Sequence, residues 1–157
     1  MMRMRPIAAA ALTIGCLTVL AGCGDEEDDA KEINVATPKG QVVLRYVDLV
    51  PGKGETVSKG DVIRFHYAGW TRAGYRLPGS HDKGKPATMV VGTGQGLLGW
   101  HEGIPGMKVG GKRKLFIPPE LGYKDQGSPD GQVKPNTKLI YEIEVLKILT
   151  DPDGVDQ

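Results

Sequence analysis

Residues 139–149, LIYEIEVLKIL, carry the clearest β-strand pattern of the chain. Leu139, Tyr141 and Ile143 alternate with other side chains, and a period of two places them on one face of a strand. Val145 continues the same face. Aromatic and β-branched residues of this kind suit a pleated, half-buried surface. The segment therefore predicts a long strand with one face in a hydrophobic core.

The segments that precede it along the chain predict further strands, separated by turns rich in glycine and proline. The turn at 51–54 reads PGKG, and the pair Pro118-Pro119 ends the last of these strands. The predicted strands are residues 41–50, 62–70, 87–91 and 112–117.

One short segment has the spacing of an amphipathic helix. Leu97, Trp100 and Ile104 are three and four residues apart, which places them on one helical face. Pro105 and Gly106 then end the helix, so the pattern predicts a helix from Leu97 to Gly106. Several strands and one helix predict an α+β fold, in which the helix covers one face of an antiparallel sheet.

The aromatic residues delimit the folded domain. The chain has 157 residues, and all of its Phe, Trp and Tyr residues lie between Tyr46 and Tyr141. This distribution predicts one domain, residues 41–150, with polar segments on both sides. The segment at 151–157 is predicted to be a polar C-terminal tail.

The charge balance argues against a nucleic-acid-binding protein. Lys and Arg number 20 against 19 Asp and Glu, a formal net charge of +1. If a leader containing Arg3 and Arg5 is removed, 18 basic residues remain against 19 acidic ones, a net charge near −1. Nucleic-acid-binding domains normally carry a basic surplus, so we expect no nucleic-acid partner.

The start of the chain has the pattern of a secretory signal. A basic opening precedes an apolar, alanine-rich run at 7–20, which is shorter than the roughly 20 residues of a membrane span. Residues 20–23 read LAGC, which resembles the bacterial lipobox. The resemblance implies a signal peptide at 1–22, lipid on Cys23, and an extracytoplasmic protein anchored on the periplasmic or cell-surface side of a bacterial membrane. The alternatives are a buried helix and an ordinary secretory cleavage site beside an incidental cysteine.

Residues 23–40 link this leader to the domain. Five consecutive acids at 25–29 open a segment without hydrophobic periodicity. Such compositions stay disordered, so the segment predicts a lipidated cysteine followed by an acidic flexible tether. Cys16 lies in the leader, so the mature chain would keep Cys23 alone and form no internal disulfide.

Two patterns that would indicate other chemistry lack their structural context. The GTGQG at 92–96 has no following Lys-Ser/Thr pair and no βαβ pattern, so it predicts a tight strand-to-helix turn and no nucleotide site. His66, His81 and His101 are scattered without metal-ligand spacing, and no G-x-S-x-G signature occurs. We therefore expect no metal, no cofactor and no hydrolase chemistry.

A set of motifs runs in order along most of the domain. They are FHYAG at 65–69, GWHEG at 99–103, GMKVG at 106–110, KRKL at 112–115, IPPELGY at 117–123 and LIYEIEVL at 139–146. This ordered set closely resembles the FKBP family of peptidyl-prolyl cis–trans isomerases. The resemblance covers about residues 42–149. It implies a curved antiparallel β-sheet wrapped around one short α-helix.

The resemblance also implies a substrate pocket between the helix and the sheet. Tyr67 and Tyr141 would form its walls and Trp100 its floor. The Leu97 N–H would bind a carbonyl of the substrate, and Tyr123 would offer a hydroxyl. The remaining implied pocket residues are Leu77, Gln95 and Val133.

Three residues depart from the family pattern. Where active members carry Phe-Asp, this chain has Leu77-Pro78, and proline offers neither a carboxylate nor an N–H. Ala87 stands where an aromatic residue is common. The departures predict a wider, less polar pocket, reduced isomerase activity and weaker macrolide binding.

The resemblance implies an enzyme that isomerises X–Pro bonds of unfolded or exported polypeptides without a cofactor. Rotation about such a bond crosses a barrier of about 18–20 kcal/mol through a twisted amide. An apolar pocket favours the twisted form because that form has lost its charge separation. The alternative is a non-catalytic module, on a membrane-anchored lipoprotein, that binds proline peptides as a folding helper.

Overall fold

The structure, a computed structural model, describes residues 30–149. The predicted signal peptide, Cys23 and the C-terminal tail lie outside the described residues. Between residues 30 and 149, no helix is long and apolar enough to cross a membrane. The elements are strands β1 (Lys31–Thr37), β2 (Gly40–Val50), β3 (Val62–Thr71), β4 (Arg76–Leu77), β5 (Ala87–Val90), β6 (Lys112–Ile117) and β7 (Leu139–Leu149), one α-helix, α1 (Leu98–Gly103), and a 3₁₀ helix (Pro119–Leu121).

All seven strands belong to one antiparallel sheet. Its order is β1-β2-β6-β7-β3-β4, and β5 pairs with β3. Strand β7 pairs with β6 on one side and with β3 on the other. The five predicted strands are confirmed, with bounds that differ by at most one residue. The predicted α+β fold, an antiparallel sheet with one short helix, is confirmed.

The prediction of a flexible tether up to residue 40 is wrong for its last part. Residues Lys31–Thr37 form β1, which pairs with β2 in a continuous register. Ile33 and Val35 pack against the core, and Val35 is buried. Two apolar residues are too weak a pattern to outweigh the acids before them, but β2 supplies backbone partners that the segment lacks by itself. The folded domain therefore includes β1.

The helix α1 lies directly against β6. Its Gly99 and Gly103 are four residues apart and so share a face. A Cβ added to Gly99 would lie 2.6 Å from Ile117, and one added to Gly103 would lie 2.7 Å from Leu115. No side chain fits in these gaps, so the two glycines of the GWHEG motif allow the helix to approach the sheet closely.

The helix is also shorter than predicted. It covers Leu98–Gly103, whereas the spacing predicted 97–106. Leu97 has extended backbone angles, φ −82° and ψ 131°, and is the N-cap residue. At the other end Ile104 keeps helical angles, φ −81° and ψ −39°, but Pro105 has no N–H with which to continue the helix. Gly106 then turns the chain with a φ of +84°.

Arg113 joins the end of the helix to the sheet. Its Nη1 donates to the Gly103 carbonyl at 2.8 Å, and its Nε donates to Asp48 at 2.6 Å. The guanidinium lies 4.1 Å from the ring centroid of Tyr46. Burial opposes the ionisation of Asp48, but hydrogen bonds from Arg113 and Lys31 outweigh it and lower the pKa of that carboxyl. The buried guanidinium is thus paired, which gives the KRKL motif a structural role.

Candidate functional site

Three aromatic rings from three elements meet beside the core. Tyr67 lies on β3, Trp100 on α1 and Tyr141 on β7. The ring centroid of Trp100 lies 5.1 Å from that of Tyr67 and 5.1 Å from that of Tyr141, and the two tyrosine centroids are 6.3 Å apart. The planes of Trp100 and Tyr141 meet at 87°, an edge-to-face arrangement that aromatic rings favour. The structure thus brings together, as an aromatic cluster, the predicted floor and walls of the pocket.

Phe65 packs against the aromatic cluster from inside the core. It is fully buried, and its ring lies 5.7 Å from Trp100 in a T-shaped arrangement and 5.9 Å from Tyr67. The Trp100 Nε1–H is buried and finds no hydrogen-bond partner among residues 30–149. An unpaired buried donor costs roughly 1–3 kcal/mol. Ring packing, and not a hydrogen bond, therefore fixes the indole.

Tyr123 adds a third phenol close to those of Tyr67 and Tyr141. Burial raises the pKa of Tyr123, and the charge of Asp130 and the neighbouring Tyr67 raise it further. Burial likewise raises the pKa of Tyr141, with smaller contributions from Tyr123, Tyr67 and Asp130. The phenols of Tyr123 and Tyr141 therefore stay protonated at neutral pH, so each can donate a hydrogen bond to a carbonyl.

The other predicted pocket residues divide into buried and exposed ones. Leu77, Leu97 and Val133 are buried in the hydrophobic core that also contains Tyr141. Gln95 is exposed on the loop before α1. The three aliphatic side chains are therefore available as apolar walls, whereas the Gln95 side chain adds no apolar wall.

The loop before β7 holds Val133 by hydrogen bonds. The Ser128 hydroxyl accepts from the Val133 N–H at 2.8 Å, and the Ser128 N–H donates to the Val133 carbonyl at 2.9 Å. Asp130, in the same turn, accepts from the Ser128 hydroxyl and the Gln132 N–H, which lower the pKa of that carboxyl. The Ser-Pro-Asp-Gly sequence signals a turn here, but only the fold places Asp130 near Tyr123.

The loop after β4 carries the Pro78 departure. A carboxylate in this loop, Asp82, accepts from a backbone N–H three residues earlier at 2.8 Å and from Arg76 at 3.0 Å, and these bonds lower the pKa of Asp82. The Tyr67 hydroxyl is instead met by Lys83, whose Nζ lies 3.4 Å away. An ammonium group is thus the partner of Tyr67 at the edge of the aromatic cluster.

Comparison with known proteins decides the family. The model of the FKBP-type peptidyl-prolyl cis-trans isomerase family matches residues 53–146. The chain belongs to this FKBP family. An FK506-binding protein of Neisseria meningitidis serogroup A is 46% identical over 101 residues, covering 64% of this chain and 92% of the relative. A peptidyl-prolyl cis-trans isomerase of Schizosaccharomyces pombe is 41% identical over 98 residues, covering 62% of this chain and 87% of the relative.

Solved structures agree with the family match. The crystal structure of AtFKBP13 superposes with a TM-score of 0.62 at 35% identity, covering 74% of this chain and 99% of the other. The predicted resemblance to FKBP-type isomerases is confirmed, and the chain is an enzyme of this isomerase, or rotamase, class. The family binds proline-containing substrates and the macrolide FK506. The assignment of individual side chains to the pocket stays a prediction.

Sequence reasoning missed the polar support of Tyr67 in this FKBP domain. Ser80 is buried, and its hydroxyl accepts from the Tyr67 N–H at 2.9 Å and lies 2.9 Å from Nδ1 of His66. The His66 ring stacks on that of His81 at 4.1 Å. The serine is 13 residues away from Tyr67 in sequence, and no sequence pattern links the two.

A second concavity of the FKBP domain is separate from the aromatic cluster. It has a volume of about 260 Å³, and its lining includes Pro38, Leu98, Pro119 and Lys124. None of the predicted pocket residues lines it, so it has no part in the prolyl site that the sequence predicts.

Proposed function

We propose that this chain is a membrane-anchored, extracytoplasmic prolyl isomerase that acts on exported polypeptides, with lower turnover than is usual in its family. The observation that carries the proposal is the aromatic cluster of Tyr67, Trp100 and Tyr141, whose edge bears Lys83 in place of a carboxylate.

The aromatic cluster suits the chemistry of X–Pro rotation. The indole of Trp100 offers a large flat apolar surface for the pyrrolidine ring. Rotation twists the amide and removes the charge separation of the planar form. Apolar walls disfavour the planar, more polar ground state relative to the twisted form, which is differential binding of the transition state. The reaction needs no nucleophile, and we assign none.

Two donors can orient the substrate chain around the proline. The Leu97 N–H makes no hydrogen bond to another of residues 30–149, so it remains available for a substrate carbonyl. The Tyr123 hydroxyl, kept protonated by burial, can donate to a second carbonyl. Holding the chain at both points confines rotation to the X–Pro bond.

Pro78 is the reason for the lower turnover. A carboxylate at this position would accept a hydrogen bond from the Tyr67 hydroxyl and would preorganise the field around the twisted amide. A charge-assisted hydrogen bond is worth roughly 1.5–3 kcal/mol. Since about 1.4 kcal/mol corresponds to tenfold in rate, its absence lowers turnover about ten- to a hundredfold if it acts wholly in the transition state.

A second candidate function is a binding module that retains the pocket without turnover. Pro78 is the observation that favours it. FK506 affinity should be low in either case, because Leu77, Pro78 and Ala87 remove an aromatic wall and a polar contact. We propose the isomerase first because the packed aromatic cluster is intact.

Turnover and binding measured together separate the two functions. The test uses a tetrapeptide with one Leu-Pro bond, cis-to-trans isomerisation by a protease-coupled assay, and peptide binding by tryptophan fluorescence. If the proposal is right, the tetrapeptide is isomerised measurably faster than without the protein, and it binds at the same tetrapeptide concentrations. Binding without turnover above the uncatalysed rate would favour the module, and absence of both would contradict the prolyl site.

The anchoring part of the proposal rests on residues 20–23, LAGC, after an apolar run. Lipid on Cys23 would hold the domain near the membrane, where exported chains emerge and where X–Pro isomerisation limits folding. Cys23→Ser should move the protein from the membrane fraction to the soluble fraction. Cys16→Ser, inside the leader, is the matched control and should leave the distribution unchanged. Membrane attachment of Cys23→Ser at the wild-type level would contradict the anchor.

A further inference from the structure

One buried histidine takes no part in the proposed chemistry. Of the three histidines, His101 alone is buried, with 1% of its surface exposed. Its Nδ1 accepts a hydrogen bond from the Gly92 N–H at 2.8 Å, and its Nε2 lies 2.6 Å from the Gln95 carbonyl oxygen. An N–H group only donates and a carbonyl only accepts, so the ring is neutral with its proton on Nε2.

Both partners of His101 belong to the glycine-rich loop before α1. Within this loop Gly92, Gly94 and Gly96 have φ angles of +90°, +80° and +86°. Glycine reaches such angles without strain, but it also has the most alternative conformations to lose on ordering. The imidazole therefore links Gly92 to Gln95. Without these two hydrogen bonds, the glycine-rich backbone between them would have many accessible conformations.

The loop leads directly into the predicted substrate contacts. Leu97, the N-cap residue of α1, follows Gly96, and its N–H is the proposed donor to a substrate carbonyl. Trp100, the predicted pocket floor, immediately precedes His101 on the helix. Two adjacent residues of α1 thus have different roles: Trp100 forms the predicted pocket floor, and His101 supports the loop.

We propose that His101 is a positioning residue, which through its two hydrogen bonds fixes the loop at 92–96 and so the direction of the Leu97 N–H. The inference rests on the proposed function, because it assigns a substrate contact to that N–H. His101 does not touch the substrate. It acts by reducing the number of loop conformations in which the donor points elsewhere.

The outer side of the loop has a weaker support, which provides a comparison. The Lys59 side chain lies over Gly92, and a Cβ added to that glycine would be 3.3 Å from Cβ of Lys59. The Lys59 Nζ bonds both carboxylate oxygens of Glu102, at 2.9 and 3.0 Å. Exposed ion pairs of this kind contribute little. Glu102→Gln, next to His101 on the same helix, should therefore change turnover less than twofold.

Three substitutions of His101 in the full chain separate its two hydrogen bonds. Asn retains an acceptor near the Nδ1 position, Gln retains a donor near the Nε2 position, and Leu retains neither. We expect His101→Leu to lower kcat/KM for the Leu-Pro tetrapeptide about tenfold, with Asn and Gln each recovering part of the loss. Leu44→Val, a buried substitution in β2, serves as the control for general destabilisation and should leave kcat/KM of the folded protein unchanged.

Nitrogen NMR gives a local readout of the two hydrogen bonds of His101. The wild-type imidazole should show one protonated and one unprotonated nitrogen, and the Gly92 amide should exchange slowly with solvent. In His101→Leu the Gly92 amide should exchange at least tenfold faster, whereas in Leu44→Val it should not. Wild-type kcat/KM in a folded His101→Leu variant, or equal losses in the Asn, Gln and Leu variants, would overturn the inference while leaving the proposed function intact.

Failure of the isomerase proposal can be distinguished from failure of the His101 inference. Wild-type protein that binds the tetrapeptide without turnover would contradict the isomerase proposal alone. The His101 inference would then be read from tetrapeptide affinity, which should fall about tenfold in His101→Leu and recover in part in His101→Asn. Unchanged affinity there would overturn the inference as well.

Discussion

The floor of the predicted pocket and its rim are held by different forces. The floor, Trp100, is held by ring packing against Phe65 in the core and against the Tyr141 wall, with centroid distances of 5.7 and 5.1 Å. The rim, the loop at 78–83 beside the Tyr67 hydroxyl, is held by hydrogen bonds and by one ammonium group at 3.4 Å. Packing of large rings is hard to alter by one substitution, whereas a single rim residue changes the charge that the substrate meets.

We therefore expect the floor and the rim to contribute to different steps, the floor to binding and the rim to turnover. Affinity for the proline ring depends on apolar area, which the floor supplies. The rate depends on groups that interact better with the twisted amide than with the planar one, and such polar groups lie on the rim. Loss of the rim carboxylate at Pro78 should therefore lower turnover and leave affinity largely in place.

Replacement of the floor should produce the largest effect. Trp100→Leu removes roughly 100 Å² of apolar contact surface, which at about 25 cal/mol per Å² corresponds to ~2.5 kcal/mol, or close to a hundredfold in the dissociation constant of a proline peptide. Isothermal titration calorimetry measures this dissociation constant. The matched control is Trp70→Leu, the other tryptophan of the chain, which should leave affinity unchanged. Wild-type affinity in a folded Trp100→Leu variant would remove Trp100 from the site.

Burial of the Tyr141 wall, which packs against the floor, should also appear in the stability of the protein at alkaline pH. The pKa of Tyr141 is raised in the folded protein because burial disfavours the phenolate, whereas the unfolded chain ionises near pH 10. The stability that this group contributes is therefore fully present below pH 10 and is lost as the pH rises further, by up to ~1.4 kcal/mol per pH unit. Urea denaturation from pH 8 to 11 should show a shallower alkaline decline in Tyr141→Phe. In Tyr75→Phe, at an exposed tyrosine, the decline should match wild type, and equal slopes in all three proteins would contradict the assigned burial.

The rim lysine should have the smallest effect. Lys83→Met removes the ammonium group that contacts the Tyr67 hydroxyl. Because the contact is exposed, its contribution is about 0.5–1 kcal/mol, and kcat/KM should fall about threefold with unchanged peptide affinity. Lys85→Met, two residues along the same loop, controls for net charge and should match wild type. A drop in peptide affinity equal to the drop in kcat/KM would contradict this prediction, because it would show that the rim also contributes to peptide binding.

The same contrast explains what the sequence could predict. The strands at 62–70 and 139–149 follow from alternation, because a strand with one buried face must repeat every second residue. The glycines of GWHEG stand where the helix touches β6, and the sequence marks them only as part of the family resemblance. The floor is therefore accessible from sequence through periodicity and family resemblance.

The parts that could not be predicted depend on contacts between distant segments. Strand β1 exists because β2 is beside it, and its own two apolar residues give little signal. The bond from Tyr67 to Ser80, the approach of Lys83 to Tyr67 and the two bonds of His101 to the loop have no local signature. Side-chain partners of this kind appear only once the fold has brought the segments together.

The division between floor and rim is tested most directly by restoring the carboxylate. Pro78→Asp should raise kcat/KM for the Leu-Pro tetrapeptide about tenfold or more, with the peptide dissociation constant changed less than threefold and little change in folding stability. The measurement is the protease-coupled isomerisation rate of the two proteins, with binding followed in parallel by Trp100 fluorescence. Equal turnover in wild type and Pro78→Asp, or a gain that is matched by tighter binding, would contradict the account.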